Sequence, residues 1–123
     1  MTMDTNQISS TRKQFEELVK KECAFMSNQL GFAKPEVSSN PDEFINRVSY
    51  LHEEKKMQVD IVNAYSDFDN GFEISLHDLA SPGSHGKVVY HKPISDQDPE
   101  FQFVINGIFT LRTDLLNLLK PTD

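Results

Sequence analysis

The side chains of this sequence with chemistry to offer are four histidines (His52, His77, His85, His91), one cysteine (Cys23) and two pairs of nearby carboxylates, Asp67 with Asp69 and Glu73 with Asp78. The histidines lack the i, i+4 or short-range spacing that gathers imidazoles around zinc, so they read as solvated or structural groups. Asp67-Phe68-Asp69-Asn70-Gly71 followed by Asp78 partly matches a calcium loop. That loop needs Gly at its sixth position and a bidentate Glu at its twelfth, and here Phe72 and Asp78 stand there. The stretch therefore reads as a carboxylate-rich turn. Cys23 falls among apolar residues at helical spacing and behaves as a small hydrophobe. A nucleophilic thiol needs an exposed, electropositive setting instead. Ser81-Pro82-Gly83-Ser84-His85-Gly86 does not lead from a strand into a helix and makes no phosphate cradle. No nucleophile elbow, P-loop or dinucleotide fingerprint is present. The paired carboxylates could serve acid-base work, but in so acidic a chain their proximity carries no special weight. No catalytic residue, metal or cofactor is expected, and a non-enzymatic role is.

The charge pattern is more telling. The 123 residues carry 19 acidic and 12 basic side chains, a formal charge of -7. Residues 1–40 hold five of each sign and residues 101–123 two of each, so both ends are neutral. Residues 41–66 carry three basic against five acidic groups, and residues 67–100 two against seven. A negative field of this kind repels nucleic acid and anionic lipid and attracts a basic protein. With 37% apolar and 25% charged residues the chain can build a core. A single cysteine, a polar start and the lack of an apolar run of about 18 residues suggest a cytoplasmic protein with no membrane partner.

These groups must be positioned by the surrounding elements. From about Ser10 or Thr11 the apolar residues Phe15, Leu18, Val19, Cys23, Phe25, Met26 and Leu30 recur at helical spacing. Gly31 supplies the stop, and Phe32 can fold back on the last turn. Residues 33–42, with Pro35 and Pro41, read as a connecting loop. Four strands follow: Phe44 to His52, Met57 to Tyr65 with a bulge near Val62, a strand from Phe72 through Leu76 after the Asn70-Gly71 turn, and Lys87 to His91. Phe101, Val104, Ile108, Leu111, Leu115 and Leu118 then set a helical period, with Asp98 as N-cap and Pro99 at the first helical position. Gly107 counts against that helix, and Asn106-Gly107 between two apolar runs could instead form a hairpin within 101–119; helix is the reading chosen. The expected fold is α+β, a four-stranded antiparallel meander sheet packed on one face by an N-terminal and a C-terminal helix. It forms a single domain over residues 1–123, with residues 1–9 as a loose tail. Val48, Tyr50, Val59, Ile61, Phe72, Ile74, Leu76, Val88 and Tyr90 should face the helices. Arg47, Ser49, Leu51, Gln58, Asp60, Glu73, Ser75, His77 and Val89 should face water.

The run Phe15-x-x-Leu18-Val19 through Phe25 and Leu30-Gly31-Phe32, then Val48-x-Tyr50, Val59-x-Ile61 and Phe72-x-Ile74-x-Leu76, resembles a group of small bacterial proteins encoded beside secreted toxins. These are the immunity proteins of contact-dependent inhibition and other polymorphic toxin systems. The likeness spans about Phe15 to Leu79, rests on apolar positions, and transfers no residue roles. It implies a monomer or dimer that neutralises a cognate toxin domain, often a basic nuclease, by protein-protein inhibition. The acidic side chains Asp60, Asp67, Asp69, Glu73, Asp78, Asp96, Asp98 and Glu100 would then form the binding surface. Two other readings stand beside it, an acidic secretion chaperone holding an effector segment and a small enzyme.

Overall fold

A computed structural model of the chain describes residues 5–40, 45–64, 71–80, 86–93 and 100–119. Its elements run α1 (Thr5–Glu22), α2 (Ala24–Gln29), β1 (Glu36–Asn40), β2 (Ile45–His52), β3 (Met57–Ala64), β4 (Phe72–Asp78), β5 (Lys87–Lys92) and α3 (Gln102–Leu118). The fold is α+β, with an antiparallel sheet in the simple order β1-β2-β3-β4-β5. The sheet has five strands, not the expected four. The additional strand, β1, lies where a connecting loop was expected, because Glu-Val-Ser-Ser-Asn offers one apolar residue and little strand propensity. It forms by pairing along β2, with Val37 opposite Val48, and is preceded by a bond from the Ala33 N–H to the Leu51 carbonyl.

The helices also depart from their expected limits. α1 starts at Thr5, taking in five residues read as tail, and the N-terminal helix is not continuous to Leu30. Cys23 breaks it. Its N–H still reaches the Val19 carbonyl, but its own carbonyl accepts from Met26, three residues on, which tightens the turn between α1 and α2. The stop is as expected. Gly31 has φ +84°, which favours glycine, and the buried Phe32 ring packs edge-on against His52 at 5.1 Å. At the other end, α3 begins at Gln102, because Phe101 adopts a left-handed conformation (φ 60°) immediately before it. The expected cap Asp98 and Pro99 lie outside the described residues.

The described helices lie on one face of the sheet, α1 over β2 and beside α3, α3 over β4 and β5, and α2 next to α1 with Met26 in the shared core. Val48, Tyr50, Val59, Ile61, Phe72, Ile74 and Leu76 are buried there as the alternation requires. Phe72 joins the layers, meeting Phe15 of α1, Tyr90 of β5 and Phe103 of α3 edge-on at 6.1, 6.0 and 5.2 Å. Two buried asparagines, Asn46 and Asn63, pair across β2 and β3 on the same face.

The register irregularity falls in a different place from the one expected. The β2–β3 and β3–β4 ladders run through Val62 in step, pairing it with Arg47 and Glu73. Val62 is simply an apolar residue on the open face. The shift lies between Ile74 and Ser75, which pair with Tyr90 and Val88, so Val89 is the extra residue of a bulge. Tyr90 keeps the core side. Val88 and Val89 exchange the sides expected of them: Val88 is 51% exposed beside Ser75, and Val89 packs partly against the core.

Candidate functional site

No helix covers the second face of the sheet among the described residues, and its side chains follow from the pairing alone. One row across the strands reads Glu36, Ser49, Asp60, Ser75, Val88, and the next reads Ser38, Arg47, Val62, Glu73, His91. Leu51, Gln58 and His77 form a third, shorter row. Antiparallel sheets expose one face to water in this way.

Asp60 is the centre of a hydrogen-bonded cluster on that face. Ser49 Oγ donates to its Oδ1 at 2.7 Å, and Gln58 Nε2 donates to the same oxygen at 2.8 Å. His77 Nε2 lies 3.2 Å from Oδ2. Nε2 also lies 3.1 Å from Ser75 Oγ, which of the two donates depending on the tautomer. The other side of the ring rests on Gly86, where a methyl would stand 2.6 Å from Nδ1. These bonds hold Asp60 at 13% side-chain exposure while His77 stays at 37%. Hydrogen bonds to an ionised group are roughly twice as strong as neutral ones, so the carboxylate is fixed in one orientation.

Serine, histidine and aspartate together invite comparison with a hydrolytic triad. A triad places the aspartate on one ring nitrogen and the serine on the other. Here both meet Nε2, so His77 cannot relay a proton from Ser75 to Asp60. No group of three or more His, Cys, Asp or Glu that could hold a metal ion occurs among the described residues.

Of the acidic residues expected to form a binding surface, Asp60 and Glu73 come together as diagonal neighbours on β3 and β4, facing out side by side. Asp78 ends β4 and turns its Oδ1 to the Ala80 N–H at 2.9 Å, closing a turn. Glu100 is exposed ahead of α3, on a different part of the surface. Asp67, Asp69, Asp96 and Asp98 lie outside the described residues. On the open face of the described strands, Arg47 is the one Arg or Lys against Glu36, Asp60 and Glu73. Ser49, Gln58, Ser75 and His77 were not expected to act with Asp60. Strict alternation had placed all five on one side, but only the cross-strand register shows that they touch.

The arrangement defines a class, a half-covered antiparallel sheet that presents a polar, carboxylate-bearing face. Comparison of the chain with known protein families, with curated proteins and with solved structures finds no match. No helix among the described residues is long and apolar enough to cross a membrane.

Proposed function

We propose that this protein is an immunity protein that binds a cognate secreted bacterial toxin domain of basic surface and neutralises it by protein-protein inhibition, the toxin docking on the open face of the sheet. The observation that carries the reading is the pair Asp60 and Glu73 on a face that no described helix covers, with Asp60 oriented by Ser49 and Gln58. A carboxylate already fixed by its neighbours loses little further freedom when a lysine or arginine meets it, which favours binding. The acidic surplus of residues 67–100 adds long-range attraction for such a partner. The test is co-expression and pull-down with the product of the adjacent upstream gene. The expected result is capture that weakens with added salt, and rescue of cells from that product's toxicity. Failure to capture it at low salt overturns the proposal.

A second reading, an acidic secretion chaperone, is favoured by one feature: β1 is an edge strand whose outer side pairs with no strand among the described residues, a position suited to strand addition by an extended effector segment. Limited proteolysis of the captured partner separates the two. A toxin domain bound by an immunity protein stays folded and resistant, whereas a chaperoned segment is extended.

A further inference from the structure

Each of the two carboxylates at the centre of the open sheet face has a histidine for a neighbour. Asp60 of β3 has His77 of β4, whose Nε2 lies 3.2 Å from Oδ2. Glu73 of β4 stands directly opposite His91 of β5 in the ladder. Residues opposed in this way carry their Cβ atoms about 4.5–5.5 Å apart, so a charge on His91 is felt at Glu73. We propose that the two histidines are a proton-operated gate, which leaves the face attractive to a basic partner at neutral pH and cancels that attraction in mild acid. The inference rests on the reading of this face as the docking site and concerns the regulation of that site.

The charge balance comes first. On the open face of the described strands, Glu36, Asp60 and Glu73 stand against Arg47 alone while both imidazoles are neutral. Protonation of His77 and His91 would match every carboxylate with a cation, and histidine is the side chain whose charge ordinarily changes between about pH 5 and 8. Other charged groups of the neighbouring strands stay out of the way. Lys87 and Lys92 pair with Leu76 and Phe72 and so lie on the helix side, and Asp78 is engaged with the Ala80 N–H. Against the His77 ring itself stand Gln58 and Asp60 of β3, Ser75 of its own strand and the bare backbone of Gly86.

The contact geometry makes the effect direct at Asp60. Ser49 and Gln58 both donate to Oδ1, which leaves Oδ2 as the oxygen for an incoming ammonium or guanidinium. His77 Nε2 stands at that same oxygen. A charged imidazole there forms a charge-assisted bond with it and competes with the partner's cation from within the chain. Access agrees as well: His77 is 37% exposed and His91 is exposed, so both exchange protons with solvent while the core stays closed. By linkage, docking of a cation and uptake of these protons oppose each other equally.

A labelled decalysine peptide, titrated onto the full chain at low salt, tests the gate without the toxin. Wild type should bind it about tenfold more weakly at about pH 5.5 than at about pH 7.5. The doubly substituted His77→Gln, His91→Gln protein should differ less than about twofold between the two. Nuclear magnetic resonance on wild type gives a second readout: the peptide should move the titrations of both rings to lower pH. Equal wild-type affinity at both pH values overturns the proposal. So do a peptide that fails to bind at neutral pH, a double variant that weakens as wild type does, or ring titrations that the peptide leaves in place. The toxin reading fails separately, when the adjacent gene product is not captured although the peptide shows the gate. Capture of that product to the same extent at both pH values removes the gate and leaves the toxin reading standing.

Discussion

Gly107 of α3 lies against the ring of Phe72 on β4, so close that a methyl at this position would stand 2.9 Å from Phe72 Cε2, with Tyr90 Cδ2 at 2.8 Å and Ile74 Cδ1 at 3.0 Å. The glycine that counted against a helix in the sequence is what lets the helix approach the sheet. Gly107→Ala gains up to about 1 kcal/mol of helix propensity but overpacks two rigid rings, which costs about 1–3 kcal/mol. The expected net effect is a loss of about 1–2 kcal/mol, read as a lower midpoint in urea. An unchanged or higher midpoint would mean that α3 can lift off the sheet freely.

Removal of the Asp60 carboxylate leaves Ser49, Gln58 and His77 without their common acceptor. The cluster is partly open to water, so Asp60→Ala should lose only about 1 kcal/mol of stability. It should weaken capture of the toxin more than Asp78→Ala does, since Asp78 is engaged with the Ala80 N–H. Equal effects of the two substitutions on capture would remove Asp60 from the docking face.

Burial pushes the Cys23 thiol up from 9.0 to about 12, with the Tyr50 hydrogen bond pulling it back and the charge of Glu22 adding to the rise. The Tyr50 phenol is likewise raised, by burial first and then by Cys23. Both groups therefore hold their protons more tightly when folded. Their contribution is complete below the unfolded thiol value and is lost as pH climbs toward the folded one. Stability should therefore fall as pH rises above the unfolded thiol value of about 9. Urea titrations across this range should show a shallower decline for Cys23→Ala than for wild type. Parallel declines would place the alkaline sensitivity in other groups.

Lys56 closes the β2–β3 turn at φ 51°, a left-handed conformation that is unfavourable for a side chain with a Cβ. It is exposed. Lys56→Asn should stabilise the protein by about 0.5–1 kcal/mol, because asparagine tolerates this region better. A higher thermal midpoint would bear this out, and a lower one would show that the lysine makes a contact worth more than the strain.

The parts of this fold legible in the sequence are those where one local rule acts without competition. The Phe72-Ile74-Leu76 alternation, the Gly31-Phe32 stop and the apolar period of α3 each follow from the residue types alone. β1 was hidden because its strand character comes from β2 rather than from its own residues. The exchange of Val88 and Val89 was hidden because both are valines, and only the bulge opposite Ser75 decides which faces the core. At the candidate site, the face of Asp60 could be read, but its contacts with Ser49 and His77 depend on the register of three strands.

The same bulge has a bearing on how the protein behaves when crowded. A further chain adding to β5 would meet an uneven ladder of amides and carbonyls flanked by Lys87 and Lys92, features that discourage growth at a sheet border. β1 has neither protection. Fibrillar misassembly of this protein, where it occurs, would therefore propagate from the Glu36–Asn40 side, and a single lysine placed there should slow it.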